Sequence, residues 1–316
     1  MGTAPFCLLI GFFMAKRFYY GGQAVIEGVM MRGRKAMVTA VRRPNGELTL
    51  DTQPLAGIYS GWMRRTPLLR GIIVLIEVLV LGIKTLLYSA NVSLEEEEAE
   101  ISGWLVWLML AVSLAVSVAL FFMAPLFLTK LLDPYIASSL VFALIEGFIR
   151  VVIFIAYLKA ITLMPDIKRV FSYHGAEHKT VNAYEAGVPL EVEAVRKHST
   201  ANVRCGTSFL FTVLIIAIIV FALVGRPVLW LMVLSRILLI PVIAALGYEV
   251  IYFGGRHANN ALVRAILAPG LWLQSLTTRE PDDAQLEVAV SALGKVVELD
   301  QAEEVAQPST SASVSS

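Results

Sequence analysis

The fold of this 316-residue chain is decided by the stretch TSFLFTVLIIAIIVFALVG, residues 207–225, which contains no Asp, Glu, Lys or Arg. An α-helix rises about 1.5 Å per residue, so about 20 apolar residues cross the ~30 Å hydrocarbon core of a bilayer. The whole chain is 57% hydrophobic and 16% charged, whereas an ordinary soluble domain has about 25% charged residues. The sequence therefore predicts a mainly α-helical, polytopic membrane protein.

Three other stretches have the same character, so we expect four transmembrane helices in two pairs, at 102–162 and 207–250. The other three spans are predicted at 102–129, 138–162 and 227–250. Pro241 should kink the last of them, because proline removes a backbone hydrogen bond and crowds the preceding turn. Glu146 and Arg150 are four residues apart in the second span and are expected to pair on one helix face.

The segment 67–90 is also apolar, but it carries charges at a regular interval. Arg70, Glu77 and Lys84 are spaced by seven residues and therefore lie along one stripe of a helix. Lipid-facing surfaces rarely carry such a stripe. We predict an amphipathic helix that lies in the interface or packs against the bundle, and a fifth spanning helix is the alternative.

The N-terminal region, residues 18–66, has the pattern of a small β structure. The runs Ala36–Arg43 and Glu47–Thr52 flank Pro44-Asn45-Gly46. Asn-Gly between two β-prone runs is a strong signal of a hairpin. We therefore predict a β-rich region with its hairpin tip at Asn45-Gly46.

The remaining segments are polar or mixed. Residues 1–17 are interpreted as an upstream extension, with Met14 as the alternative start, and residues 163–206 as a polar loop between the two helix pairs. Residues 251–300 are expected to be interfacial and helical, with a break at Pro269-Gly270, and the Ser-rich tail 301–316 to be disordered.

The distribution of Lys and Arg predicts the orientation. Ten Lys or Arg and three acidic residues lie between Met14 and Arg70, and the loop 163–206 holds six Lys or Arg. Positive residues stay on the cytoplasmic side, so we place residues 18–66, 163–206 and 251–300 in the cytoplasm of a bacterium, next to the inner (cell) membrane. The basic excess lacks a nucleic-acid-binding motif, so the expected partner is the lipid bilayer, and a protein partner remains open.

Histidines are sparse in this chain and two of the four are adjacent on a predicted helix. His174 and His178 form an HxxEH pattern with Glu177, and three- and four-residue spacings bring all three to one face. Two imidazoles at this spacing can bind one Zn²⁺, and the glutamate can act as a general base. The sequence therefore predicts a divalent metal, with zinc preferred, and Glu177 as the catalytic residue.

The other ligands of this metal are less clear from the sequence. Glu185 lies seven residues after His178 on the same face, and His198 and His257 lie in neighbouring polar segments, as does Glu249. Any of them is a candidate to complete the site. Cys205 is interpreted as a plain thiol, because the two cysteines of the chain, at 7 and 205, form no CxxC or zinc-knuckle spacing. A ligand role, with the segment KHSTANVRCGTS folding back towards the histidines, is the alternative. The alternative to a metal is a polar helix face whose histidines bond to nearby loops.

Four motifs together resemble the YqhQ-like bacterial membrane family, labelled domain of unknown function 1385. They are GGQAVIEGVMMRG near the start, YHGAEHKTVNAYE in the middle, RCGTSFL before the third span and LWLQSLTTREPDDAQLEVA near the end. The resemblance covers about residues 18–295 and implies a metal-dependent enzyme whose reaction and substrate are unknown. The positions that match the motifs include Gln23, Glu27, His174, Glu177, His178, Lys179, Asn182, Cys205 and Gln285.

Two functions of different class follow from these patterns. The first is a metal-dependent, zinc-type hydrolase at the cytoplasmic face of the membrane. The second is a non-enzymatic assembly factor or transport component whose polar motifs bind a protein or a lipid headgroup.

Overall fold

The computed structural model describes residues 18–56, 62–94, 103–257 and 260–306. The predicted upstream extension at 1–17 and the last ten residues of the predicted tail lie outside these described residues. The described part contains a small N-terminal sheet followed by helices. The predicted fold class, a mainly α polytopic membrane protein with a β-rich N-terminal region, is confirmed.

Four antiparallel strands form the sheet in the order β1-β2-β3-β4. They are β1 (Gly21–Val25), β2 (Gly28–Arg32), β3 (Ala36–Arg42) and β4 (Leu48–Pro54). The predicted hairpin is the β3–β4 pair, in which Arg42 lies opposite Leu48. Gly46 has a φ of 89° at its tip, a conformation that glycine adopts at little cost.

By length and composition, four of the helices that follow could cross a membrane, and a bent pair of helices would make a fifth such stretch. The helices are α1 (Leu69–Leu94), α2 (Gly103–Val118), α3 (Ala124–Leu131), α4 (Ser139–Ile161), α5 (Pro165–Glu185), α6 (Val192–Val195), α7 (Gly206–Val224), α8 (Leu229–Leu238), α9 (Ile240–Arg256), α10 (Ala261–Thr277) and α11 (Asp283–Ala306). The five stretches are α1, α2 with α3, α4, α7, and the pair α8–α9, which is bent by 45°. The bend lies next to Pro241, as predicted.

The sheet is covered by helices on both faces, because successive side chains of a strand point to opposite sides. Val29, Met31, Val38 and Ala40 are fully buried in a core that includes residues of α5 and α11. The opposite face carries the buried Val25, Met30, Met37 and Val41, which pack with Ile73 and Leu81 of α1. The sheet, α5 and α11 thus form a polar domain, and α1 covers its outer face.

The charged stripe of α1 is explained by these contacts. Arg70 pairs with Glu249 of α9, and Glu77 is 3% exposed and accepts a 2.6 Å bond from Arg32 of β2. Lys84 is exposed. Although α1 is long enough to span, one side of it is occupied by the sheet and its start is joined to α9.

The remaining four stretches run between two ends of one bundle. Asp133, after α3, accepts a 2.6 Å bond from Arg226, after α7, so these two turns lie together at one end. At the other end, the side chain of Arg204, before α7, lies against Gly255 of α9. The polar domain lies at this second end, where α4 leads into α5.

A charged cluster lies inside the bundle. The predicted pair of Glu146 and Arg150 forms with a 2.6 Å contact, and Arg236 of α8 binds the second carboxylate oxygen, also at 2.6 Å. All three residues are 1% exposed. Two guanidinium groups therefore share one carboxylate in the apolar interior.

Two predicted segments differ from the structure. No break occurs at Pro269-Gly270, since α10 is continuous and Gly270 allows its close packing against Ser208 of α7. Residues 301–306 belong to α11 rather than to a disordered tail. The helix predicted for the HxxEH pattern within 163–206 is present as the 21-residue α5.

Candidate metal centre

Helix α5 carries His174 and His178 on the side that faces α7 and α10. The helix contains Gly175, where an added Cβ would clash with the carbonyl oxygen of Arg279. The absence of a side chain allows the chain after α10 to pass directly over α5. As a result, the carbonyl oxygen of Thr277 lies 2.8 Å from Nδ1 of His174.

A second loop, residues 199–205, brings Cys205 to the same place. The side chain of Asn182 donates bonds of 2.8 and 3.0 Å to the carbonyl oxygens of Ser199 and Ala201. The side chain of Gln274 accepts from the N–H of Asn202 at 2.9 Å and donates to its carbonyl at 2.7 Å. The loop is therefore fixed to both α5 and α10.

His174, His178 and Cys205 converge on one point. Their ligand atoms all lie within 4.8 Å of one another, and Sγ of Cys205 is 3.3 Å from Nε2 of His174. A tetrahedral zinc ion with Zn–N and Zn–S bonds of ~2.05 and ~2.3 Å would hold N and S about 3.6 Å apart. The spacing thus fits a zinc ion after small side-chain shifts.

The tautomers of the two histidines also fit a metal. Nδ1 of His178 lies 2.5 Å from the carbonyl oxygen of Thr200, and Nδ1 of His174 lies 2.8 Å from that of Thr277. A carbonyl oxygen can only accept, so both Nδ1 atoms must donate. The Nε2 lone pairs of the neutral rings are then available to a metal, and the carbonyl partners fix the ring orientations.

Glu177 lies beside the two histidines, as the sequence predicted. Its Oε2 is 3.4 Å from Nε2 of His178, and its Oε1 accepts a 2.9 Å bond from the N–H of Gly22 in β1. The carboxylate is 5% exposed. One oxygen is therefore held by the sheet while the other faces the cluster.

The carboxylate of Glu177 affects the pKa of the neighbouring His178. Burial lowers the pKa of His178, but the negative charge of Glu177 and the bond with Cys205 outweigh it, so the pKa is raised above its ordinary value. A metal ion would have to displace any proton held there, because only the deprotonated nitrogen binds metal.

The other residues considered as ligands lie outside this cluster. Glu185 pairs with Arg204, and Glu249 pairs with Arg70. His257 is exposed and stacks on Phe253 with a centroid distance of 4.2 Å, and His198 is half-buried in the loop after α6. None of the four belongs to the group formed by His174, His178 and Cys205.

Cys205 is the ligand candidate that sequence reasoning undervalued. Its position directly before a span, in the RCGTS motif, was the available signal, because it places the thiol at the N-terminus of α7. The partial positive charge of a helix N-terminus favours an anionic sulfur. Spacing rules missed it, because Cys205 is 31 positions from His174.

The donor set of two imidazoles and one thiol suits zinc. Structural zinc sites have four protein ligands, whereas catalytic sites have three and leave one position open. Only three candidate ligands converge among the described residues, and a carboxylate stands next to them. These residues could therefore hold a zinc ion, with the carboxylate of Glu177 beside it.

Comparisons with known proteins agree with the resemblance noted in the sequence. The family described as "Protein of unknown function (DUF1385)" matches residues 66–299. The chain is 37% identical over 295 residues to the uncharacterized protein YqhQ of Bacillus subtilis (strain 168), a match that covers 89% of this chain and 93% of that protein. No solved structure matches the chain. The chain belongs to the DUF1385 family.

Proposed function

We propose that this member of the DUF1385 family is a zinc-dependent hydrolase that acts at the cytoplasmic face of the bacterial inner membrane. The observation that carries the proposal is the convergence of His174, His178 and Cys205 within 4.8 Å, next to the carboxylate of Glu177. His174, His178 and Cys205 would hold the zinc. When bound, the ion supplies Lewis acidity, which polarises a carbonyl group and acidifies water.

Glu177 supplies the proton transfers of the reaction. It accepts one proton from the attacking water as the water oxygen bonds to the scissile carbonyl carbon. It then returns that proton to the leaving group as the original bond breaks, so that one water is consumed. The N–H of Gly22 holds Oε1, which fixes the carboxylate and leaves Oε2, on the side of His178, for this role.

The location at the membrane surface is supported by the chain connections. Cys205 directly precedes α7, which is a candidate span, and α5 follows directly on α4, which is another. The excess of Lys and Arg in residues 14–70 and 163–206 favours the cytoplasmic side. The metal centre would therefore lie within a few ångströms of the cytoplasmic lipid headgroups.

Metal analysis of purified variants tests the proposal. We expect about one zinc per wild-type chain, and loss of most of it in His174→Ala, His178→Ala and Cys205→Ser, because each removes one of three ligands. Glu177→Gln should keep its zinc and lose hydrolytic activity, since its role is proton transfer. His198→Ala and His257→Ala are the matched controls and should keep wild-type zinc.

A metal-free wild-type protein, or full zinc content in the three ligand variants, would contradict the hydrolase. The second candidate function, that of a non-enzymatic assembly or transport component, would then be the better supported of the two. The observation that favours it is the buried cluster of Glu146, Arg150 and Arg236, because charged residues inside a membrane bundle often mark a functional pathway.

A further inference from the structure

The sheet edge formed by β1, beside the candidate metal centre, is open in the sense that no strand of the described residues pairs with it. Strand β1 has β2 as its one neighbour in the sheet, and the pair is closed by the two-residue turn between Val25 and Gly28. Bonded and non-bonded pairs alternate along an antiparallel ladder. The N–H and C=O groups of Gly22 and Ala24 therefore point away from β2, and the bond from Gly22 to Glu177 agrees with this register.

Two helices bind the ends of this edge, and Ala24 between these ends is partly buried. The N–H of Gly22 donates to Glu177 of α5, and the N–H of Ile26 donates to the hydroxyl of Ser89 of α1 at 3.2 Å. Between them, the N–H and C=O of Ala24 bond to no residue in the described parts of the chain. The open edge thus lies between α1 and α5.

The open edge lies close in the chain to the residue that binds the proposed catalytic base, Glu177. Ala24 is two residues from Gly22, or roughly 7 Å along a strand, and Gly22 is bonded directly to the proposed base. An extended chain that paired with Ala24 would reach Glu177 and the metal ligands within about two residues. Edge strands are known to bind extended peptides by adding them to the sheet, with backbone hydrogen bonds providing affinity.

We propose that the substrate is an extended polypeptide segment that pairs with the β1 edge at Ala24, which makes the enzyme a peptide hydrolase. This inference rests on the proposed zinc hydrolase and names its substrate class. Water attacks the peptide carbonyl, the C–N bond breaks, and the new amine takes the proton that Glu177 removed from the water. Pairing through the backbone makes few demands on side chains, so recognition depends mainly on an extended conformation near the membrane surface.

Hydroxamate ligands can test the substrate class without a known substrate. The probes are acetohydroxamate, which reaches only the metal, N-acetyl-dialanyl hydroxamate, which adds two amide groups, and octanohydroxamate, which adds an alkyl chain and no amides. Binding is measured on the full-length protein loaded with Co²⁺, whose visible absorption changes when a ligand enters its coordination. We expect the peptide hydroxamate to bind about tenfold more tightly than acetohydroxamate, from two hydrogen bonds that each contribute a factor of a few.

Matched variants test whether pairing with the β1 edge causes the gain in affinity. Ala24→Pro removes one of the two bonds, the one from the Ala24 N–H, and should reduce the tenfold gain to about threefold while acetohydroxamate affinity stays unchanged, since proline is tolerated on edge strands whose N–H faces outward. Ala24→Ser keeps the donor and should keep the full gain. N-methylation of the peptide amides removes the bond to the Ala24 carbonyl and should likewise reduce the gain to about threefold on the wild-type protein, so the test does not depend on the folding of the proline variant.

Three outcomes would overturn the inference. Equal affinities for acetohydroxamate and the peptide hydroxamate would show that the edge binds no peptide. Tighter binding of octanohydroxamate than of the peptide compound would indicate an acyl chain, and thus a lipid substrate. A tenfold gain that stays undiminished in both Ala24→Pro and the N-methylated ligand would place the peptide elsewhere. Absence of any spectral change with acetohydroxamate is a different failure, since it would remove the proposed metal site itself.

Discussion

At the scale of single residues, Gly175 explains an unusual feature of the HxxEH motif. Glycine is a poor helix former, yet here it lies in the middle of α5 between the two histidines. Its missing side chain lets the segment after α10 cross the helix. The carbonyl oxygen of Arg279 lies against Gly175, and that of Thr277 accepts a hydrogen bond from His174. The glycine therefore helps to position His174 in the candidate metal centre through packing, and its cost to the helix is offset by that contact.

Gly175→Ala should therefore damage the protein, although alanine favours helices. The new Cβ would overlap the Arg279 carbonyl, which is backbone and cannot rotate away. We expect destabilisation by roughly 1–3 kcal/mol, as for other overpacking substitutions, together with weaker zinc binding. Differential scanning fluorimetry and metal analysis measure the two effects.

Gly294→Ala is the control for this substitution. Gly294 lies within α11, and no atom lies within 4 Å of the position of an added Cβ. The change should be neutral or raise stability by up to about 1 kcal/mol, through helix propensity alone. Equal effects of the two substitutions would show that the Gly175 contact is unimportant.

At the scale of elements, the buried charges coincide with two irregular helices. Arg150 donates a 2.9 Å bond to the carbonyl of Phe121, which lies in the π-helical segment Ala119–Met123 between α2 and α3. Arg236 lies two residues before the end of α8, next to the bend into α9. Irregular turns release carbonyl groups from the helix ladder, and the arginines bind beside them. The ring of Phe221 lies 5.0 Å from one guanidinium and 4.6 Å from the other.

Glu146→Gln should strongly destabilise the bundle. The substitution leaves two guanidinium groups without a carboxylate in an apolar interior, and removal of one partner of a buried ion pair typically costs about 3–5 kcal/mol. The triple variant Glu146→Leu, Arg150→Met, Arg236→Met should be less damaging, because it removes all the charges together. Thermal unfolding in one detergent compares the two.

The exposed pair of Lys130 and Asp133 provides the control for the bundle. Lys130 is 42% exposed, so solvent screens the interaction and Lys130→Gln should change the unfolding temperature little. If Glu146→Gln were as mild as Lys130→Gln, the buried cluster would not contribute to stability.

The helix α1 shows how one element satisfies two apparently conflicting patterns. Its length and composition suit a span, whereas its charges at Arg70 and Glu77 do not. The conflict disappears because these two charges face protein groups, Glu249 of α9 and Arg32 of β2. Apolar residues such as Leu79 and Val80 on its other side are about half exposed, so this side is available to lipid.

At the scale of the whole molecule, the arrangement predicts which surfaces face each side of the membrane. Tyr135 is 87% exposed in the turn between α3 and α4, and Lys197 is exposed in the loop after α6. In intact cells, a membrane-impermeant maleimide should label Tyr135→Cys and should label Lys197→Cys only after lysis. Positive charges on the side of Lys197 are the physical reason. A Cys7→Ser background removes one native thiol, and the buried Cys205 should react slowly.

Labelling of Lys197→Cys from outside, with Tyr135→Cys protected, would reverse the proposed orientation. It would leave the metal-content prediction untouched, because the cluster depends on internal contacts and not on the side of the membrane. Labelling of both positions from outside would show that the two loops are not separated by the bilayer.

The sequence by itself determined the local features of this protein. Each of these features depends on residues within a few positions of one another or on the composition of one continuous segment. They are the long apolar runs, the Asn45-Gly46 hairpin, the bend at Pro241, the Glu146–Arg150 pair and the placement of His174, Glu177 and His178 on one helix face. The regular geometry of a helix or strand fixes which face each side chain lies on, so such local patterns predict the structure directly.

Only the tertiary structure decided the features that depend on distant contacts. The proximity of Cys205 to the two histidines, which Glu185, His198 and His257 do not share, follows from the loop 199–205, which Asn182 and Gln274 bind from two different helices. The same holds for the packing of α1 on the sheet and for the addition of Arg236 to the buried pair, 90 positions away. Side chains so far apart are brought together by the packing of whole elements, and that packing depends on the complementary shapes of surfaces that no local pattern specifies.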